Sequence, residues 1–186
     1  MRQCELSENA RTYLDQFCQI LRDMERGMTS PELTDSISHN FIVQMIPHHR
    51  AAIEMSQNIL KYTTCPALER IAQNIITAQT ESIRQMEEAM ACCERCRDTE
   101  EDLCRYSRQF QRVTETMFRQ MGSVCGTNCL NADFMRQMIP HHQGAIRMSE
   151  NARRFPICPE LQPILEAIIV SQRRGVREMR QLLGCM

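Results

Sequence analysis

Two short stretches hold most of the side chains able to do chemistry: Met45-Ile46-Pro47-His48-His49 and Met138-Ile139-Pro140-His141-His142. Between them they contain four of the five histidines. A further methionine follows six residues after each pair, at Met55 and Met148. On a helix turning about 100° per residue, Met45, His48, His49, Ala52, Met55 and Ser56 fall within an arc of roughly 120°. Two imidazoles and two thioethers therefore share one face. The second stretch repeats the face with Met138, His141, His142, Met148 and Ser149, and adds Met135 one turn earlier. Imidazole suits Cu, Zn, Fe or Ni, while thioether narrows the choice toward Cu(I) or a similarly soft ion, leaving zinc a poorer match. Adjacent histidines diverge by about 100° on an ideal helix, so both cannot face one ion squarely. Pro47 and Pro140 each remove a backbone hydrogen bond inside the helix, which can re-aim the pair and free a carbonyl. The competing reading is structural: methionines at helical spacing commonly pack a core, and a buried, hydrogen-bonded His pair would only stabilise a helix crossing.

Other chemistries find little support. No Ser, Asp or Cys nucleophile stands at a readable spacing from the histidines, so no triad is indicated and no enzyme is expected. The six glycines include no Gly-x-Gly phosphate loop. A ferritin-type di-iron centre requires Glu-x-x-His on two helices, and no such tetrapeptide occurs. With 22 basic against 23 acidic residues and a net charge of −1, there is no basic stripe for nucleic acid. No apolar run approaches the roughly 18 residues of a membrane span.

The 11 cysteines are the second source of soft ligands. Cys93-x-x-Cys96 and Cys125-x-x-x-Cys129 tempt a four-thiolate zinc site, but a helix between them separates the pairs by roughly 36 Å. An up-and-down helical path gathers Cys4, Cys65, Cys125, Cys129 and Cys185 at one end and Cys92, Cys93, Cys96, Cys104 and Cys158 at the other. Cys18 falls mid-helix and is expected in the core. The path predicts Cys65 near Cys185 and Cys92 near Cys158. End-stapling disulfides, thiols as additional soft-metal ligands, and inert cysteines all remain open.

The elements that must position these residues follow from a duplication. The 186 residues are twice 93, and a shift of 93 superposes the two Met-Ile-Pro-His-His stretches without a gap. Tyr13, Phe17, Met24, Asn58, Cys65-Pro66, Ile71, Gln79 and Met86 likewise fall on Tyr106, Phe110, Met117, Asn151, Cys158-Pro159, Ile164, Gln172 and Met179. Each copy reads as three helices from its 3–4 apolar spacing. They are expected at about 5–28, 40–62 and 66–92 in residues 1–93, and at about 98–121, 133–155 and 159–183 in residues 94–186. Asn40 and Asp133 serve as expected N-caps, and Pro66 and Pro159 as first helical residues. No segment alternates with period two. The fold class is all-α: two tandem three-helix repeats closing on one another about a pseudo-twofold axis, as one compact unit.

Met-Ile-Pro-His-His-Gln-Gly-Ala-Ile-x-Met at 138–148 resembles the signature of the domain-of-unknown-function family numbered 305. Gln79, Arg84 and Met86 loosely resemble that family's closing helix. The resemblance covers about 40–92 and 133–185. It implies a ferritin-like helical bundle of the kind found in bacterial proteins, often exported, some of which bind copper or silver through His and Met. It assigns metal binding to Met45, His48, His49, Met55, Met138, His141, His142 and Met148. Two departures stand out: Arg50-Ala51 replaces Gln-Gly, and the closing-helix Glu81 becomes Arg174 in the second copy, so the two sites should differ. The expected function is soft-metal binding, Cu(I) or Ag(I), for sequestration, storage or resistance. The alternatives are a structural or interaction bundle with core histidines, or a thiol-redox or metal-sensing protein. Metal ions are the expected partners, and self-association is left open. The N-terminus starts polar without an apolar h-region, which leaves a cytoplasmic protein or an exported one whose signal was removed.

Overall fold

The computed structural model describes residues 5–186, so Cys4 lies outside the described residues. Six helices follow in order: α1 Glu8–Thr29, α2 Ile37–Ile59, α3 Pro66–Cys93, α4 Glu100–Gly122, α5 Leu130–Ala152 and α6 Leu161–Leu183. Among the described residues no strand forms, and no helix is long and apolar enough to cross a membrane.

Which helices lie inside is decided by how much of each is apolar. α1 and α4 bury a single stripe, Tyr13, Phe17, Ile20, Met24 and Met28 on one and Tyr106, Phe110, Val113, Met117 and Met121 on the other. They lie on the outside, as one-faced helices must. α2 and α5 are buried on nearly every face, polar residues included. They form the centre and pack on each other, α1 covers α2, and α4 covers α5. α3 packs on α2, α6 packs on α5, and α3 and α6 meet across the molecule. Each packing of one half recurs in the other, and the α2–α5 and α3–α6 contacts pair an element with its own repeat, which is the signature of a twofold. Asn58 Nδ2 donates to the Tyr13 carbonyl and Asn151 Nδ2 to that of Tyr106, both at 3.1 Å. The halves also interlock asymmetrically: the Tyr13 hydroxyl donates to Gln137 Oε1 at 2.8 Å, while the Tyr106 hydroxyl has no partner.

The central helices begin three residues earlier than expected. Ser36, not Asn40, caps α2, its hydroxyl accepting from the His39 N–H, and α5 is preceded by Cys129 rather than Asp133. Asn40 and Asp133 sit one turn inside and reach back instead, accepting from the N–H groups of Thr34 at 2.8 Å and Thr127 at 2.6 Å. They tether the incoming loop rather than the first turn. α3 opens at Pro66 as expected, but α6 starts at Leu161, two residues past Pro159. Pro163 explains the delay: a helix begun at Pro159 would need an N–H from residue 163, whereas Pro163 in the first turn costs no bond. Cys18 is exposed, a correction to its expected place in the core, because it stands one residue off the Tyr13–Phe17–Ile20 stripe.

Candidate metal centre

All four repeated histidines meet where α2 crosses α5. The His48 and His141 rings, one from each half, stack with centroids 3.7 Å apart and planes 27° from parallel. His49 and His142 flank them, each 5.9 Å from its chain neighbour. Adjacent histidines diverge as the helix geometry demands, and each first histidine turns to its counterpart across the twofold. Nothing in the sequence of one copy shows this pairing. The offset of 93 together with the inward face of both helices was the signal that could have found it.

The hydrogen bonds are few for so buried a group. His141 Nε2 donates to the His48 carbonyl at 3.1 Å, leaving Nδ1 of that ring with a free lone pair. His48 leans reciprocally toward the His141 carbonyl, yet neither of its ring nitrogens has a partner in hydrogen-bond geometry. His49 Nε2 meets the Ser82 hydroxyl of α3 at 3.1 Å. The Nδ1 atoms of His49, His141 and His142 are unpartnered. Burial holds all four rings neutral, with the neighbouring imidazoles adding to the effect for His48, His49 and His142: His49 is pushed down to about 3 and His141 to about 4, while His48 and His142 lie well below the ordinary imidazole value. A neutral imidazole carries one N–H and one lone pair, and leaving a buried polar atom unpaired costs about 1–3 kcal/mol. The centre thus holds several unengaged nitrogen donors inside an apolar shell.

The expected methionines are buried on the same two helices. Met45, Met55, Met135, Met138 and Met148 are all buried in the single core on α2 and α5. Among the described residues, no three His, Cys, Asp or Glu side chains converge to hold an ion. A zinc-type site of nitrogen and oxygen ligands is therefore not assembled. Any ion taken up here needs few ligands or draws on thioether sulfur.

The two halves differ outside the stack. Where α3 places Ser82 against His49, the repeat places Gly175 against His142, and a Cβ there would stand 2.8 Å from the ring Cδ2. A groove along the α3–α6 seam reaches both outer histidines through Ala78, Gln79, Ser171 and Gln172. Its cavity is about 200 Å³ over His49, beside Glu81, but only about 30 Å³ over His142, beside Arg174, where the ring lies directly against Gly175. Glu81 is exposed and pairs with Arg84 rather than with a histidine. The replacement of Gln-Gly by Arg50-Ala51 also has a local cause. A Cβ at Gly144 would stand 2.3 Å from the Met117 sulfur, and Ala51 shows that the first half leaves room for a methyl. Arg50 is exposed and faces Glu87 on α3 at 3.5 Å.

An all-α bundle with duplicated, buried His and Met residues at its twofold axis defines a class of helical proteins with a soft donor set at the helix crossing. The family model described as Domain of unknown function (DUF305) matches residues 21–91 and 38–183, and the chain belongs to that family. A DUF305 fragment from Deinococcus radiodurans superposes with a TM-score of 0.59 at 24% identity, covering 84% of this chain and all of that one. CopM in an Ag-bound form obtained by soaking gives 0.59 at 27% identity, with 80% of this chain and 96% of that one covered. The co-crystallised Ag-bound form gives 0.57 at 27%, covering 78% and 93%. No curated protein matches the chain.

Proposed function

We propose that this chain binds a soft monovalent ion, Cu(I) or Ag(I), at the histidine–methionine crossing, and that it sequesters or carries the ion rather than performing catalysis. The observation that carries the reading is the set of buried, neutral imidazoles, each with at least one ring nitrogen lacking a partner, in a core that also buries the methionines of α2 and α5. Neutral imidazole and thioether are the ligands that such ions prefer. The Ag-bound state of CopM, a structural neighbour, supports the choice of ion. Met45, His48 and His49 from α2 and Met138, His141 and His142 from α5 are the ligands proposed first; Met55, Met135 and Met148 complete the sulfur supply.

Anaerobic titration with Ag(I) or Cu(I) against a competing chelator tests the reading. Replacing His48 and His141 together should abolish the tight site, and unchanged affinity would refute it. One observation favours a second reading, a purely structural core: the His141–His48 carbonyl bond and ring stack. That reading requires His141→Gln to lower the melting temperature of metal-free protein while Ag(I) leaves the wild-type melting temperature unmoved.

A further inference from the structure

At the end of the bundle away from the methionine–histidine stretches, a second set of soft donors is held together by contacts the metal centre does not use. Cys93 is the last residue of α3 and Cys158 precedes α6; both thiols are buried in the core. The Cys93 thiol lies beside that of Cys158, and burial together with this neighbour pushes it up. Cys158 in turn donates to Glu160 Oε2 at 2.7 Å. Cys92 lies near the same carboxylate and accepts from Arg95 Nη2 at 3.3 Å. Both buried cysteines are pinned through their backbones to the start of α2. Ser36 Oγ donates to the Cys93 carbonyl at 2.6 Å, and Ser38 Oγ accepts from the Cys158 N–H at 2.9 Å. Ser82, the partner of His49, lies eleven residues back along α3, roughly 16 Å at 1.5 Å per residue. Cys92 and Cys158, expected near one another, both lie beside Glu160, and of the two adjacent cysteines Cys93 is the more deeply buried.

We infer that Cys93 and Cys158 form a second site, a two-thiolate clamp for one soft monovalent cation such as Cu(I) or Ag(I). Two buried, neighbouring thiols whose backbones are both bonded to the first turn of α2 need little rearrangement to take an ion between them. A d10 monovalent ion accepts two ligands in line, whereas zinc asks for four, and among the described residues no three His, Cys, Asp or Glu side chains are arranged to hold an ion. Thiolate selects the same soft ions. Binding breaks two S–H bonds and makes two S–metal bonds, with no change of oxidation state at sulfur or metal. The Cys158 proton passes to the Glu160 carboxylate that already accepts it, and thence to water. The Cys93 proton follows along the same chain of contacts. Two protons leave per ion bound, and the clamp carries a net charge of −1 with the Arg95 guanidinium close by.

The test uses the full-length chain, reduced and oxygen-free, titrated with Ag(I) under chelator competition and read by native mass spectrometry and proton release. Wild type should hold one tightly bound ion more than Cys93→Ser/Cys158→Ser. The difference should persist in a His48→Ala/His141→Ala background, where the crossing has lost its own ion, so failure here and failure of the proposed function are told apart. Each ion lost with the cysteines should remove two released protons. Cys125→Ser/Cys129→Ser, at exposed thiols, should leave the count unchanged. Cys158→Ala alone, with its melting curve recorded, guards against misfolding of the double variant. Equal stoichiometry in wild type and the Cys93/Cys158 variants overturns the proposal, and so does a mass two hydrogens lighter without metal, the mark of a disulfide.

Discussion

The histidine crossing and the thiol end are both buried, soft and rich in hydrogen-bonding atoms, yet they are built in opposite ways. The crossing is symmetric: His48 meets His141, its own counterpart at the offset of 93. The thiol end is not. The repeat equivalent of Cys158 is Cys65, but that of Cys93 is Met186, which is exposed at the chain terminus. Duplication therefore produced the crossing and left the two ends of the bundle different. One end is closed by Cys93, Cys158, Ser36 and Ser38, and among the described residues no equivalent pair of buried thiols closes the other. A symmetric site made of neutral bases should respond to acid, and an asymmetric one made of protonated thiols should not.

Acid gives the largest expected effect. In the unfolded chain the four histidines titrate near the ordinary value of about 6.5; in the folded protein they resist protonation, His141 down to about 4 and His49 to about 3. The unfolded state then binds more protons across the interval, so folding stability is complete above pH about 6.5 and falls as the pH drops toward 4. Each such histidine contributes a slope of about 1.4 kcal/mol per pH unit. Metal-free protein should lose several kcal/mol by pH 5 in urea melts. Cys93→Ser/Cys158→Ser should shift the curve without changing its slope, because burial keeps the Cys93 thiol protonated throughout. A stability flat between pH 7 and 5 would mean the crossing is wet or protonated. Replacing His48 and His141 with alanine comes next. The tight site should be lost, an affinity loss of at least about 100-fold or about 2.7 kcal/mol, and the acid slope should drop by about half.

The two halves of the crossing sharpen the comparison on a smaller scale. Gly175→Ala forces a Cβ to within 2.9 Å of His142 Nε2 and should cost about 1–3 kcal/mol by displacing the ring. Ser82→Ala only removes the hydroxyl at His49 and should cost about 1 kcal/mol. Thermal melts of the two variants side by side decide this, and equal losses would mean that the outer histidines are interchangeable after all.

How far these regions could be read from residue order follows from the same contrast. The helices, the stripes of α1 and α4, and the buried residues Met45, His48, His49, Met138, His141 and His142 are legible because duplication writes each feature twice at a fixed offset. The cross-axis stack is implicit in that offset, but the 3.7 Å separation of the rings depends on how closely α2 and α5 approach. The start of α2 was misplaced because Asn40 carries a capping side chain and uses it on Thr34 instead. The inward place of Cys93 is less legible, since Cys92 and Cys93 differ only in which face of the last turn of α3 they occupy. At a helix end that choice is fixed by a tertiary bond, Ser36 to the Cys93 carbonyl, that no periodicity encodes.

That bond supplies the smallest effect and the finest test of the asymmetry. The Ser36 hydroxyl caps α2 by accepting from the His39 N–H and at the same time donates to the carbonyl at the end of α3. Ser36→Ala removes both interactions. The cap alone is worth about 1 kcal/mol, which in a domain of this size lowers the melting temperature by roughly 2–4 °C. Only the thiol end should loosen: iodoacetamide should reach Cys93 and Cys158 faster than in wild type, while Ag(I) affinity at the histidine crossing stays unchanged. If the crossing weakened to the same degree, the two regions would be one cooperative unit and the distinction between them would fail.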